Sequence, residues 1–157
     1  MGDMFLTFDI SSSALSAERK RMNVIANNIA NINTMSTPAG EKIPYSRKAV
    51  FFKQGAPQFT RSREFGVMLE KIMSDRPRFR VLKQDADDPR AITAADVEKY
   101  KDKYPELANH VGDVLAPNVN LVAEMVDMIE ASRAYQANIT VMDVTKNMMS
   151  DTLRLLV

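Results

Sequence analysis

The sequence predicts a mainly α-helical fold with a small β element. Its N- and C-terminal helices form a coiled coil, and a compact middle region holds short strands and one short helix. Near both ends of the 157-residue chain, apolar residues recur every seven positions, a spacing typical of helices that pack against another helix. Six of the seven prolines lie in the interior, where they interrupt any long helix. These observations divide the chain into residues 1–35, 36–116 and 117–157.

The N-terminal segment predicts a helix whose apolar stripe is strongest over residues 15–32. The stripe occupies two positions of the seven-residue repeat, with Leu15, Met22, Ile25, Ile29 and Ile32 as its members. The first dozen residues follow the repeat less closely, and three residues near them could cap a helix: Asp9, Ser12 or Ser13. The segment 34–40, with its proline and glycine, predicts the end of the helix.

Asparagines are concentrated beside this stripe, where Asn27, Asn28 and Asn31 occupy neighbouring helical positions. An amide buried in a helix interface discriminates among registers, because a wrong register leaves its hydrogen-bonding groups unpaired. The alternative is that these amides face water. The sequence leaves both interpretations open, and the three asparagines join the apolar stripe as candidate interface residues.

The C-terminal segment predicts one long helix with a longer stripe. Six residues are spaced by seven and three more fill a companion position: Leu121, Met128, Tyr135, Met142, Met149 and Leu156, then Met125, Ile139 and Leu153. No proline or glycine follows Asn120, a candidate N-cap, so this helix would extend over roughly 37 residues, or ~55 Å. A lone helix cannot bury such a stripe, so the two terminal stripes must pair with each other, with other chains, or with both.

The middle region predicts three short strands, at residues 45–52, 66–73 and 78–83, flanked by prolines. Residues 93–103 predict a short amphipathic helix, because Val97, Tyr100 and Tyr104 fall on one side of it. This helix belongs to a charged inserted segment at about 92–110, just before the C-terminal helix region.

Composition argues against several classes of function. Twenty-one Lys and Arg residues against 20 Asp and Glu leave a formal charge of +1, which disfavours a broad surface for nucleic acid or anionic membrane. There is no cysteine, and His110 is the only histidine, so the ligand set of a zinc site cannot be assembled. A serine–histidine triad would need His110, but no Gly-x-Ser-x-Gly motif presents a serine to it. We therefore expect no catalytic residue, no metal and no cofactor, and read His110 as a polar loop residue.

Two features bear on location. No apolar run approaches the ~20 residues that span a bilayer, which predicts no membrane insertion. The start of the sequence has an acid, Asp3, where a secretory signal peptide needs Lys or Arg, which predicts export, if any, without a cleaved signal.

The segment Ser11–Thr34 resembles the N-terminal signature of the bacterial flagellar rod, hook and hook-filament axial proteins, most specifically in its Ala26–Asn31 run, ANNIAN. Two further stretches resemble the proximal rod subunits within that family: residues 44–52, and the Pro-Asn-Val-Asn motif at 117–120 followed by residues 124–138. Both regions of resemblance coincide with the two apolar stripes.

The resemblance implies a structural subunit of the flagellar basal-body rod that crosses the periplasm and is exported by the flagellar type III apparatus without a cleaved signal. Its terminal helices would polymerise into a hollow shaft that encloses the export channel and transmits torque from motor to hook. The implied partners are further copies of itself, other proximal and distal rod subunits, the MS ring or a rod–ring adaptor at the base, the ring bushing around the rod, and the export apparatus.

Two alternatives remain open at this point. One is another axial paralogue of the rod or hook, which would share the N-terminal signature and differ in the middle region. The other is a soluble coiled-coil adaptor whose stripe binds one partner helix. The charged segment at 92–110 departs from the short loop usual in the family, and we hypothesise that it makes an added lateral contact on the outer side of the rod.

Overall fold

The computed structural model describes residues 2–37, 40–55, 65–75, 79–84 and 87–155, with the side chains of the first helix described from Phe5 onward. Its elements, in chain order, are α1 (Gly2–Ala30), β1 (Lys48–Gln54), β2 (Val67–Ser74), β3 (Phe79–Gln84), α2 (Ala94–Tyr100), a 3₁₀ helix (Pro105–His110), β4 (Asp113–Pro117) and α3 (Leu121–Leu155). A long helix at each end of the chain, with short strands and one short α-helix between them in sequence, confirms the predicted fold class.

Helix α1 begins at Gly2, so the three candidate caps lie inside the helix, and the prediction that one of them starts it was wrong. The hydroxyl of Ser13 makes two other hydrogen bonds instead of capping the helix. Its Oγ donates to the carbonyl of Ile10, 2.7 Å away, and accepts from the backbone N–H of Val67 at 3.0 Å. A serine whose hydroxyl is used in this way is compatible with a helix interior.

The chain divides into two compact units. The first combines Met1–Ala26 with Ala49–Met73 and Val122–Val157, so it holds most of α1, the paired strands β1 and β2, and nearly all of α3. The second combines Asn27–Lys48 with Ser74–Leu121 and holds β3, β4, α2 and the 3₁₀ helix.

The second unit is organised by an antiparallel pair of strands. Strand β3 pairs with β4 so that Phe79 lies opposite Pro117 and Gln84 opposite Asp113, with an irregularity between Val81 and Lys83. All five residues of β4 are buried, and this strand is not among the three predicted from the sequence. A short run buried throughout lacks the alternation of polar and apolar residues that signals a strand.

The charged segment contributes to the core of this unit. The core cluster consists of Ile43, Phe79, Ile92, Leu107 and Leu115. Leu107 is fully buried, and the three residues predicted on one side of the short helix, Val97, Tyr100 and Tyr104, pack against the cluster. Thr93 caps α2, and its hydroxyl and backbone N–H are both bonded to the Asp96 carboxylate. The segment therefore has an internal packing role, which its charged composition conceals.

Candidate assembly interface

Helix α3 has one side buried within the first unit. Eight of its buried and half-buried residues recur at alternating intervals of four and three: Glu124, Met128, Ala131, Tyr135, Asn138, Met142, Thr145 and Met149. Glu124 and Ala131 are fully buried. We call this set the inner row. Its spacing is that of a helix packed along another element over about seven turns.

Two polar members of the inner row are satisfied by the helix itself. The Asn138 side-chain amide donates to the carbonyl of Ala134 at 2.9 Å, and the Thr145 hydroxyl donates to that of Val141 at 2.8 Å. A buried polar group that already has a hydrogen-bond partner does not carry the full cost of desolvation. Polar residues can therefore stand in the inner row without a partner on another element.

The opposite side of α3 is apolar and exposed. Residues 124 and 126 are about 200° apart around a helix with 3.6 residues per turn, so the side centred near Val126 points away from the inner row. We call the exposed apolar side chains there the outer row: Val122, Met125, Val126, Ile129, Val141, Val144, Met148 and Leu155. Half of the Val126 side chain (51%) and of Ile129 (54%) is exposed. A helix that is apolar on two opposite sides is typical of one buried on both.

Helix α1 differs from α3 on its exposed side. The buried residues of α1 include Ser11, Ser13, Ala17, Val24, Ile25 and Asn28. Its exposed residues from 12 onward are polar or small, with Ser12, Arg19, Lys20, Asn23, Ala26, Asn27 and Ala30 as the examples. In the described part of the two terminal helices, the rows of exposed apolar side chains therefore belong to α3, at residues 122–129 and 141–148, and not to α1.

An ion-pair cluster joins the two terminal helices. The Arg21 guanidinium of α1 lies 3.8 Å from the carboxylates of Asp127 and Glu130 on α3, and 4.0 Å from that of Glu18 on its own helix. Burial raises the pKa of the Glu18 carboxyl, and the charge of Arg21 opposes that rise. One Oε atom of Glu18 is buried without a hydrogen-bond partner. The cluster links the turn of α1 that holds Arg21 to the start of α3.

A second link joins α1 to the β1–β2 strands. Gly66 precedes β2 with a positive φ of +105°, and a Cβ built on it would lie 2.7 Å from the Ser13 Oγ. The Ser13 hydroxyl in turn accepts from the N–H of Val67, the first residue of β2. Glycine is required here both by its backbone conformation and by the close approach of the helix.

In the second unit, the side chain of Asn28 forms hydrogen bonds with the backbone of Lys48 like those that a neighbouring strand would form. Its amide nitrogen donates to the carbonyl of Lys48 at 2.9 Å, and its oxygen accepts from the N–H of the same residue at 3.0 Å. The oxygen also accepts from the hydroxyl of Tyr45 at 2.9 Å. Asn28 is 1% exposed, so this predicted interface residue is committed to contacts inside its own chain.

The structure distributes the sequence-predicted interface residues over buried and exposed positions. Buried or half-buried are Leu15, Met22, Ile25, Asn28, Ile29, Asn31, Ile32, Met128, Tyr135, Met142 and Met149. Exposed are Asn27, Leu121, Met125, Ile139 and Leu153. Leu156 lies outside the described residues. The amide of Asn31 bonds back to the carbonyl of Asn27 at 2.8 Å. Contact of these residues with other subunits stays a prediction.

Sequence reasoning missed most of the outer row. A signal for it exists, because Val122, Val126 and Ile129 lie four and three residues apart, as do Val141, Val144 and Met148 with intervals of three and four. The prediction followed the more regular stripe, that of Met128, Tyr135 and the residues spaced by seven from them. The second apolar stripe on α3, the outer row, was overlooked for that reason. Glu124 and Thr145 of the inner row are polar and Ala131 is small, so these positions do not stand out as part of an apolar stripe.

Other chemistry is sparse in the described ranges. No group of three or more His, Asp or Glu residues there is placed to hold a metal ion, and no described helix is long and apolar enough to cross a membrane. His110 lies with its Nδ1 3.0 Å from a carboxylate oxygen of Asp113, at the start of β4. An open cleft of about 540 Å³ in the second unit is lined largely by small polar residues, with Tyr45, Lys48 and Tyr104 among them.

Two family models match the chain at its ends. Residues 8–35 match the model described as flagella basal body rod protein, and residues 112–155 match that described as flagellar basal body rod FlgEFG protein C-terminal. The first match covers the greater part of α1, and the second covers β4 and the whole of α3.

Curated relatives match over almost the whole chain. The flagellar basal-body rod protein FlgC of Borreliella burgdorferi is 37% identical over 98% of this chain and 97% of its own length. The FlgC protein of Yersinia enterocolitica is 36% identical over 94% of both chains, and that of Bacillus subtilis is 32% identical over 96% of this chain and 97% of its own.

Proposed function

The chain belongs to the family of the flagellar basal-body rod protein FlgC, and from that premise we propose that it enters the rod by packing the outer row of α3 against neighbouring subunits. It is a structural subunit of the rod of the flagellar basal body. Neither another axial paralogue nor a soluble adaptor is favoured, because the FlgC relatives match over nearly the full length.

The observation that carries the proposed interface is the exposure of the outer row. Exposed apolar side chains lie on one side of this 35-residue helix at residues 122–129 and 141–148, and the described part of the chain leaves them uncovered. Patches of this kind mark sites of protein association. At ~25 cal/mol for each Å² of apolar surface buried, covering them supplies a driving force for polymerisation.

The remaining features of the proposal follow from the resemblance to rod proteins. The subunits would form a hollow shaft around the export channel and transmit torque, meeting copies of themselves, other rod subunits, the MS ring or an adaptor, and the ring bushing. The chain would reach the periplasm through the flagellar type III apparatus without a cleaved signal and would catalyse no reaction. A chain without cysteine is compatible with passage between reducing and oxidising compartments.

The test places charges in the outer row. A Val126→Asp/Val144→Asp variant keeps every residue of the inner row, so the purified chain should retain its helical circular dichroism. In the host cell we expect the variant to be missing from purified basal bodies and the cells to lose motility. Asn23→Asp, which adds one charge to the exposed polar side of α1, is the control and should assemble. Normal amounts of the double variant in basal bodies would show that the interface lies elsewhere.

A further inference from the structure

The second unit has an open pocket of about 470 Å³ beside the first residue of α3. Its lining includes a guanidinium, three side-chain amides and two apolar side chains: Arg80, Asn33, Asn118, Asn120, Ile32 and Leu121. All six residues belong to the same compact unit. We call this cavity the Arg80 pocket, because Arg80 is the charged residue among those described around it.

Positive charge is concentrated on the strand that supplies Arg80. Residues 76–84 include four cations and no acid in the sequence. Arg80 is exposed on β3, opposite Ala116 of β4. Within the described ranges, the Arg80 side chain forms no ion pair or hydrogen bond, whereas Lys83 is paired with Asp88 at 2.8 Å. The described chain therefore provides no counter-charge for the Arg80 guanidinium.

The residues around the Arg80 pocket suit a carboxylate on a short aliphatic stem. A guanidinium presents a planar fork of N–H donors that matches the two oxygens of a carboxylate. Side-chain amides, such as that of Asn33, offer further N–H donors to the remaining lone pairs. The apolar side chains of Ile32 and Leu121 can cover methylene groups of the stem. An aspartate or glutamate side chain has this chemistry.

A second copy of this chain is a poor source of that carboxylate. The sequence has two acid-rich stretches, at 85–88 and 124–130, and both contain acids that are already engaged. The Asp88 carboxylate of the first is paired with two cations of its own chain. In the second, one acid is fully buried and the other two lie 3.8 Å from Arg21. Two copies that met through the same pocket would oppose two Arg80 guanidinium groups, which is repulsive.

We propose that the Arg80 pocket receives an aspartate or glutamate side chain of a rod protein whose sequence differs from this chain. The inference rests on the proposed assembly, because the pocket is filled only when the chain lies beside that protein. The outer row supplies apolar adhesion, and the pocket makes the contact specific, since a neighbour without the carboxylate leaves the guanidinium unpaired.

The first experiment converts this contact into a covalent bond. Arg80→Lys keeps the positive charge and provides an amine. Carbodiimide treatment of purified basal bodies joins that amine to a contacting carboxylate as an amide, and the carbodiimide takes up the released water as it becomes a urea. We expect mass spectrometry to find the peptide containing position 80 joined to an Asp or Glu of a different protein. Lys83 is the internal control, because it lies 2.8 Å from Asp88 and should couple there in the same sample.

Two outcomes of this experiment would overturn the proposal. One is coupling of position 80 to a carboxylate of this chain's own sequence, whether the bond forms within one chain or between two copies. The other is the absence of any coupling at position 80 while Lys83 reacts with Asp88.

The second experiment reverses the charge. Arg80→Glu and a tagged wild-type chain are produced together in the host cell, and their ratio in purified basal bodies is measured. Because Arg80 is exposed, the melting temperature of the purified variant should change little. We expect the variant to be depleted at least about tenfold, because it loses hydrogen bonds between charged groups and repels the carboxylate of the neighbour.

The matched control is Lys53→Glu, which makes the same change of charge at an exposed position of β1 and should enter basal bodies at the wild-type ratio. Equal incorporation of Arg80→Glu and wild type would overturn the proposal for the pocket and leave the rod function standing. Absence of the wild-type chain from basal bodies would overturn the proposed function itself.

Discussion

Single polar side chains of α1 fix the positions at which the first two strands begin. Ser13 accepts from the N–H of Val67 at the start of β2, and Asn28 is paired with both backbone groups of Lys48 at the start of β1. A strand edge has unpaired N–H and C=O groups, and a buried one without partners is costly. These two side chains remove that cost at the points where the chain enters each strand.

Replacing Asn28 should be severe. An Asn28→Ala variant leaves the backbone N–H and C=O of Lys48 and the hydroxyl of Tyr45 without their present partner. We expect the free energy of unfolding to fall by about 3 kcal/mol, because each buried group left unsatisfied costs about 1–3 kcal/mol. Urea denaturation measures the loss. Asn27→Ala, at the exposed neighbouring position, should change it by less than about 1 kcal/mol, and equal losses in the two variants would contradict this account.

Two glycines allow conformational strain to be separated from steric clash. Gly40 (φ +77°) has nothing within 4 Å of the position of an added Cβ, whereas at Gly66 (φ +105°) that atom would lie 2.7 Å from the Ser13 Oγ. We expect Gly40→Ala to cost about 1 kcal/mol from its backbone conformation, and Gly66→Ala about 2 kcal/mol more from the clash. Thermal unfolding compares the two. Similar melting temperatures would mean that Ser13 moves aside at no cost.

The sequence predicted the larger features better than the partners of single residues. The seven-residue spacing predicted that Met128, Tyr135, Met142 and Met149 share one side of a helix, and in the structure all four belong to the inner row of α3. It did not identify the polar and small members of that row. Their placement depends on which neighbour covers them and on bonds such as that of Thr145 to Val141, neither of which leaves an apolar signal.

At the scale of elements, the loop between β3 and α2 depends on one carboxylate. The Arg90 guanidinium lies 3.0 Å from Asp88 and the Lys83 ammonium 2.8 Å from it, and only 6% of the Asp88 side chain is exposed. These partners, Arg90 foremost, hold the pKa of the Asp88 carboxyl well below its ordinary value of 3.8. The hydrogen bonds of Asp96 to Thr93 lower the pKa of that carboxyl in the same direction at the start of α2.

The stability of this loop should depend on pH in a definite direction. Because the pKa of Asp88 is lower in the folded than in the unfolded chain, its stabilisation is complete above pH 3.8 and is lost as the pH falls below that value. We expect Asp88→Asn to lower the free energy of unfolding at pH 7, and the difference from wild type to shrink steadily from pH 4 to pH 2. Denaturant unfolding across this range measures it. The exposed Asp102→Asn is the control, and a difference that grew on acidification would refute the assignment.

The charged segment at 92–110 shows the limit of sequence reasoning at this scale. Its short helix was found correctly, because the amphipathic pattern of residues 93–103 indicates one. Its packing was not, because the predicted helix ended at residue 103, whereas Leu107 continues the spacing of Tyr100 and Tyr104 and is fully buried in the core of the second unit. The core residues that Leu107 packs against are distant in sequence, so they emerge only from the tertiary fold. The lateral contact hypothesised for this segment stays a prediction.

At the scale of the whole molecule, order should be uneven in the free chain. The second unit has a buried core, and the backbone of Ile92 is bonded on both sides, to Asp113 and Gly112. Along α3, by contrast, every described residue after Met149 is exposed. Local opening is easiest where few apolar contacts are buried.

Hydrogen exchange should therefore divide the chain into two classes. In the isolated chain we expect slow exchange at the amides of β4 and Ile92 and fast exchange over residues 150–155. In purified basal bodies residues 150–155 and the outer row should become protected, because neighbouring subunits cover them. The amides of β4 should change little and serve as the internal control. Strong protection of 150–155 in the isolated monomer would mean that α3 does not need assembly for its stability.

The outer row of α3 also limits how much of this protein can accumulate as free, unassembled chains. A free chain that exposes valine, isoleucine and methionine side chains over residues 122–129 and 141–148 of one helix has a lower solubility and adheres to other exposed apolar surfaces. Raising the pool of free chains above what growing basal bodies take up would then drive precipitation. Synthesis must keep pace with consumption, or another protein must shield this side of the helix until the chain is used.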